Sequence, residues 1–286
     1  MINFDYFAPL SLREALSILD KQRGKAKVLA GGTDLIIQMK DGHAAPDVIV
    51  DLKGIPELNR LEWKEGKALH IGAAVPLNKI AAFPPVKSKY GMLGTACSLI
   101  GSLQLRNRAT AGGNICNAAP SADSAPPLIC LGARAIIAKK GAKKWAVPLE
   151  DFFKGPGKTC LESDEILVEI EVPKPLIGST GCYLRHIPRN EMDIAVVGVA
   201  VFLVLNKARK CKTAKIALGA VAPTPVRAIQ AESMLPGNAL TDELIEQVAA
   251  AAAEAASPIS DVRGSADYRK EIIRVLTLRA LKKAAA

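Results

Sequence analysis

The chain has 286 residues, 49% hydrophobic and 23% charged, with a net charge of +10. That is ordinary globular composition, long enough for two domains, with no run near the roughly 18 apolar residues a membrane span needs. Aromatics are only 4% and the basic residues are dispersed apart from small clusters at 139–144 and 282–283, which argues against a nucleic-acid surface and for a solvated basic exterior that attracts an acidic partner or an anionic cosubstrate. Residues 1–5 carry no basic segment leading into an apolar core, so the expectation is a cytoplasmic protein.

Ser11 and Glu14 form a capping box, and Leu12, Ala15, Leu16 and Leu19 follow at helical spacing. Residues 27–30 read as a strand, 35–40 as a helix and 48–52 as a strand, a βαβ unit with a right-handed crossover. Gly31 and Gly32 fall at its strand-to-helix turn. A hairpin over 61–64 and 68–74 turns at Glu65-Gly66. Residues 76–101 are mainly helical, broken near Pro84-Pro85. Strands follow at 133–139 and 145–148, and the alternating segment 165–172 ends at Pro173. Pro, Gly and Ser cluster over 173–181, which marks a domain boundary. Beyond it, strands are predicted over 194–205 and 212–220, and helices over 225–235, 241–256 and 265–281.

Cysteines stand at 97, 116, 130, 160, 182 and 211. They lack the close pairs of zinc or iron–sulfur sites. Without an export signal they read as buried free thiols rather than a disulfide framework. His43, His70 and His186 are not paired at ligand spacing, so no protein metal centre is expected.

The chemistry concentrates in two small-residue loops. Ala30-Gly31-Gly32-Thr33-Asp34 lacks the G-x-G-x-x-G spacing of a Rossmann turn. It still offers successive backbone N–H groups and the start of a helix to an anion. Asp34 would repel a pyrophosphate, so it is expected to point away or to cap the helix. A plain strand–turn–helix connection is an equal reading of this loop alone. The second stretch runs Arg106-Asn-Arg-Ala-Thr110-Ala-Gly-Gly-Asn114-Ile-Cys-Asn-Ala-Ala-Pro-Ser121-Ala-Asp123. Nearly every residue after Arg108 is small or short and polar. That suits close approach of backbone to a flat or phosphorylated ligand, with Thr110, Asn114, Ser121 and Asp123 offering directed hydrogen bonds; an ordinary polar loop is the bland alternative. Two such loops in one domain suit an extended ligand with a polar middle, such as a dinucleotide.

At these residues the chain resembles the FAD-binding medium subunit of the molybdenum hydroxylases, a family that includes bacterial xanthine and carbon monoxide dehydrogenases. The AGGTDL and RNRATxGGNIxNAxPxxD patterns are both present. Arg189 to Ala195 resembles the family's R-x-x-MDIA motif, and Ser260 to Arg269 its SDxRGSxxYR motif. The four occur in the family's order across nearly the whole chain.

The resemblance implies an α+β protein. An FAD-binding domain of the PCMH/vanillyl-alcohol-oxidase type would occupy 1–175, with subdomains at about 1–55 and 56–175. A C-terminal α+β domain of the CO dehydrogenase flavoprotein type would occupy 176–286. By position, Val28, Leu29, Ala30, Gly31, Gly32, Thr33, Asp34 and Leu35 would wrap the pyrophosphate, and Thr110, Gly113, Asn114, Ser121 and Asp123 would line the second side. Ile100 and Leu167 match apolar contacts with the adenine or the ring, and Arg185 a basic contact near the flavin. Asp193 and Ile194 would lie close to the isoalloxazine, the first ordering the segment and the second controlling access to one face; ordinary strand core is the other reading of Ile194. Some relatives carry a cysteine-rich insert holding a [4Fe–4S] cluster, and this chain lacks it, so no iron–sulfur centre and no metal ligand are expected here.

The implied function is electron relay. A large molybdopterin subunit oxidises substrate, a small [2Fe–2S] subunit passes electrons on, and FAD in this chain delivers them to NAD+ or another acceptor. No catalytic acid or base is needed in this chain. The rivals are a self-sufficient FAD-dependent oxidase of the same fold, which often tethers its flavin to a histidine, and a scaffold that has lost the cofactor. Neither glycine loop contains a histidine, and the intact loops argue against the scaffold.

Overall fold

The computed structural model describes residues 3–189 and 191–286. Met1 and Ile2, the start of the leader reading, and Asn190, the second residue of the R-x-x-MDIA stretch, lie outside the described residues.

The chain begins β1 (Asp5–Phe7), α1 (Leu12–Gln22), β2 (Ala26–Leu29), α2 (Leu35–Lys40) and β3 (Val48–Asp51). The strands pair in parallel in the order β1–β3–β2. Ser11 caps α1 by accepting the Glu14 N–H at 3.2 Å, while the Glu14 carboxylate accepts the Leu10 N–H at 3.2 Å. The predicted box therefore forms with its return bond one residue early. Leu12, Ala15, Leu16 and Leu19 bury their stripe against Val48 and Val50.

Next come β4 (Leu61–Lys64), β5 (Ala68–Gly72), α3 (Leu77–Ala82), α4 (Pro84–Lys89), α5 (Gly91–Leu99), α6 (Leu103–Arg106), α7 (Ala111–Asn117), α8 (Ala125–Cys130), β6 (Arg134–Lys139), β7 (Trp145–Pro148), α9 (Leu149–Phe152), β8 (Phe153–Gly155), β9 (Lys158–Thr159) and β10 (Glu165–Pro173). Phe83, extended before Pro84, separates α3 from α4, as a residue preceding proline prefers. The main antiparallel sheet runs β4–β5–β10–β6–β7.

Central strand β10 departs from simple alternation. A bulge between Leu167 and Glu169 shifts its register. Ile166 and Val168 therefore pack toward α1, whereas Ile170 and Val172, of the same parity, pack into the opposite core with Leu69, Ile71 and Ile137. One extra residue reverses the faces of everything after it. The bulge lets a single strand serve two cores, one on each side of the cavity described below.

The C-terminal part comprises β11 (Ser179–His186), β12 (Val197–Leu205), β13 (Cys211–Gly219), β14 (Val226–Arg227), α10 (Ile229–Ser233), α11 (Asp242–Glu254) and α12 (Ala266–Ala285). Its antiparallel sheet runs β11–β12–β13–β14. Strand β12 is buried on both faces: Val199, Val201 and Leu203 pack with α11 and α12, and Ala200, Phe202 and Val204 join the core of the preceding sheet. The chain is thus α+β, with parallel pairing confined to β1–β3.

Two predictions are corrected. Residues 225–235 are not one helix: Val226 and Arg227 pair with β13, and α10 begins only at Ile229. The Arg227 guanidinium pairs with Glu232, whose carboxylate accepts the buried Ile216 N–H at 2.8 Å, so a buried polar bond draws this segment onto the sheet edge. The long strand begins at Val197 rather than at 194, leaving Ile194 in the preceding loop.

Candidate cofactor-binding site

A cavity of about 360 Å³ opens between the β2–α2 turn and the α6–α7 segment. That volume lies within the usual range for small-molecule sites. Residues 28–35 form one wall; Ile100, Leu105, Ala109, Thr110, Gly113 and Asn114 lie on the other, and Leu161, Ile166 and Leu167 complete it.

The glycines perform different tasks. A Cβ on Gly31 would stand 2.8 Å from the Arg108 carbonyl carbon and 2.9 Å from the Ala109 Cα. Only a residue without a side chain lets the two loops touch there. Gly32 has φ +80°, which favours glycine. Among the described residues, the backbone N–H groups of Gly31, Gly32, Thr33 and Asp34 find no acceptor. Four consecutive unspent donors on one wall form an anion-binding surface. Helix α2, at six residues, adds a short dipole at most. Asp34 occupies the cap position but makes no capping bond, and partial burial raises its carboxyl above the usual aspartate range.

The second stretch is a helix start rather than an open loop. Thr110 is extended, and its Oγ1 accepts the Gly113 N–H at 2.9 Å, capping α7. Thr110 and Gly113 therefore satisfy each other in part. Gly112 is buried, and a Cβ there would meet the Ala73 carbonyl oxygen at 2.5 Å and Cβ at 2.6 Å. The Asn114 Oδ1 accepts the Ser124 hydroxyl at 2.6 Å. Gln38 Nε2 reaches across from α2 to donate to Asn117 Oδ1 at 3.1 Å.

Of the residues expected at the site, Ser121, Asp123, Arg185, Asp193 and Ile194 do not line this cavity. Asp123 is buried, accepts the Tyr183 hydroxyl at 2.7 Å and pairs with Arg185 Nη1 at 2.8 Å. Burial pushes its carboxyl upward, against the pull of Arg185 and Tyr183. Arg185 Nε is buried without a partner. Asp193 accepts Arg189 Nε at 3.0 Å and the Ile194 N–H at 2.8 Å, and these bonds hold its carboxyl below the ordinary range. Ile194 is 49% exposed, so strand core does not describe it.

The sequence reading missed Gln38, Leu105, Ala109, Gly112, Cys116 and Leu161 on the cavity. Gln38 stands four residues after Asp34, on the same helix face, so its signal was present. Leu161 had none, because the short β8–β9 hairpin delivers it from far along the chain. The reading also missed a group of His70, Glu169 and Glu171, whose possible ligand atoms lie within 4.8 Å of one another. Register sets Glu171 opposite His70. His70 Nδ1 lies 3.0 Å from Glu169, and Glu171 pairs with Arg134 at 3.2 Å, so the group's charges meet internal partners. All six cysteines are free, and burial pushes the Cys97 and Cys116 thiols up to about 12.

Comparison with known proteins places the chain among FAD-binding oxidoreductase subunits. Residues 2–175 match the FAD-binding domain in molybdopterin dehydrogenase, and residues 182–284 the CO dehydrogenase flavoprotein C-terminal domain. The chain is 35% identical to the carbon monoxide dehydrogenase medium chain of Hydrogenophaga pseudoflava, over 98% of this chain and 96% of that one. It is 35% identical to the glyceraldehyde dehydrogenase medium chain of Sulfolobus acidocaldarius, over 99% and 98%. A solved carbon monoxide dehydrogenase from Hydrogenophaga pseudoflava, lacking the Mo-pyranopterin moiety of its cofactor, superposes with a TM-score of 0.94 at 35% identity, covering 99% of this chain and 98% of that one. The chain belongs to the family of FAD-binding medium subunits of the molybdenum hydroxylases. No helix among the described residues is long and apolar enough to cross a membrane.

Proposed function

We propose that this chain holds FAD in the cavity between β2–α2 and α7 and relays electrons from a small [2Fe–2S] subunit, itself supplied by a large molybdopterin subunit, to NAD+ or another acceptor. The observation that carries the reading is the row of unspent amides from Gly31 to Asp34 on a cavity where Gly31 and Gly112 leave no room for side chains. Those donors fit a diphosphate, and the apolar surface of Ile100, Leu105 and Leu167 fits a flat ring. When bound, FAD supplies the capacity to accept electrons singly and release them in pairs. The chain's own residues bind, orient and shield it. The amides neutralise the phosphates without a side-chain charge, and the apolar wall excludes water. Asp123, Tyr183 and Arg185 brace the junction between the two parts, and Asp193 ties Arg189 to the Ile194 backbone. The division into 1–175 and 176–286 belongs to the same proposal, supported by the change of sheet after Pro173 and by the two family matches.

The test is to purify the full chain, measure its flavin by absorbance, and assay it alone and with candidate partner subunits. The expected result is bound FAD, no oxidation of organic substrates by the chain alone, and acceptor reduction once the partners are added. Turnover of an organic substrate by the chain alone would favour the self-sufficient oxidase, and absence of flavin binding would overturn the reading.

A further inference from the structure

We propose that the Gln38–Asn117 hydrogen bond sets the width of the cofactor cavity, which makes Gln38 a positioning residue for a dinucleotide; this rests on the FAD reading above. The two walls come from different sheets. At one end they meet through backbone, where Gly31 lies against Arg108 and Ala109. At the other, the 3.1 Å bond from Gln38 Nε2 to Asn117 Oδ1 is, among the described residues, the one side-chain hydrogen bond or ion pair joining α2 to the rest of the chain. Helix α2 is otherwise thinly held. Met39 is its one buried residue, and Ile36 and Ile37 are 41% and 51% exposed. An element with so little buried apolar surface opens easily. The amides of Gly31 to Asp34 lead directly into this helix, so its tilt determines their distance from the opposite wall.

The backbone of Gln38 bonds only locally. Its carbonyl accepts the N–H groups of His43 at 2.8 Å and Ala44 at 3.1 Å. Those bonds tie the helix to its own following turn rather than to the opposite wall, so when the side chain releases Asn117 the helix and that turn can move together. Beyond it lies a second, more open basin that includes Lys25, His43 and Asp47 and shares Gln38 and Lys27 with the main cavity. Gln38 thus stands where the enclosed site gives way to open solvent, and the tie governs retention of the ligand.

The experiment uses the full chain, with FAD as probe, and two readouts: the rate of flavin release, and amide exchange across residues 31–40 in flavin-free protein. Gln38→Leu keeps bulk and removes the donor. It should speed release about two- to tenfold, the worth of one hydrogen bond, and raise exchange in that segment. The swapped pair Gln38→Asn with Asn117→Gln keeps the number of methylenes between the helices and should restore both. Asn117→Ala should behave like Gln38→Leu, so that a folding failure of one single variant leaves the other to decide. Wild-type release and exchange in both single variants would overturn the proposal, as would failure of the swap to restore either. If the wild type takes up no FAD while exchange still rises in the single variants, the FAD reading fails and the tie stands.

Discussion

Gly31 and Gly113 both come from an Ala-Gly-Gly stretch, yet a methyl group on each meets different surroundings. On Gly31 it runs into the Arg108–Ala109 backbone, which cannot give way without parting the two loops. Gly31→Ala is expected to cost about 1–3 kcal/mol or more, as overpacking against rigid neighbours does, and to abolish flavin uptake. On Gly113 the methyl meets Thr110 Oγ1 at 3.0 Å and stands within a helix, where alanine outranks glycine by up to about 1 kcal/mol. Gly113→Ala should melt at or near the wild-type temperature while flavin affinity falls, because the added group narrows the cavity wall. Thermal melts paired with flavin titrations separate the two, and equal behaviour would show that the glycines are interchangeable. Sequence alone showed two stretches rich in small residues and left a plain connection or a polar loop open for each. Both glycines line the cavity, and that Gly31 also packs on the Arg108–Ala109 backbone is a non-local contact that leaves no local trace.

At the scale of elements, a buried arginine ties the first turn of α12 to the sheet, beside the apolar stripe of Ile273, Leu276, Ala280 and Leu281. Arg269 donates to the Val196 carbonyl at 2.6 Å, the Ala220 carbonyl at 3.3 Å and the Asp261 carboxylate at 2.7 Å. It therefore joins the helix to the start of β12, the end of β13 and the 261 loop. Arg269→Leu leaves two carbonyls unpaired and should cost about 3 kcal/mol, read from denaturant unfolding. Acid should loosen the same anchor. The Arg263 backbone N–H, then the Arg269 guanidinium, hold Asp261 below the ordinary aspartate value. A carboxylate with a lowered folded-state pKa stabilises fully above the unfolded value, near pH 4, and loses that contribution as pH falls below it. Asp261→Asn should accordingly flatten the acid limb of the stability curve, and an unchanged limb would remove Asp261 from the account. Periodicity revealed α1 because Leu12, Ala15, Leu16 and Leu19 form one buried stripe. It failed at β10, where three successive apolar residues, Ile166 to Val168, marked a bulge rather than a regular alternation, and at 225–235, where the non-local bond from Ile216 to Glu232 outweighed helical propensity.

The whole molecule is organised around a junction rather than two separate cores. Tyr183, Ala200, Phe202 and Val204 of the C-terminal sheet belong to the same apolar core as Leu93, Leu128 and Ile170 of the preceding part. Hydrogen bonds cross there as well: the Ala220 N–H donates to the Pro120 carbonyl at 2.7 Å, and the Cys130 thiol to the Ala200 carbonyl at 3.5 Å. Shared burial of this kind couples the two parts, so heating should produce one cooperative transition with equal calorimetric and van't Hoff enthalpies. The Asp123–Arg185 pair is the buried ion pair of the junction, with side chains 8% and 6% exposed, whereas Arg227–Glu150 crosses it nearer the surface. Asp123→Asn keeps the shape and an acceptor for Tyr183 but leaves the guanidinium buried without its counter-charge. Breaking a buried pair from one side typically costs about 3–5 kcal/mol, so the single transition should move down in temperature without splitting. Two resolved transitions in the wild type would show that the parts melt independently. A split appearing only in Asp123→Asn would show that the ion pair, rather than the shared apolar core, makes them one cooperative unit.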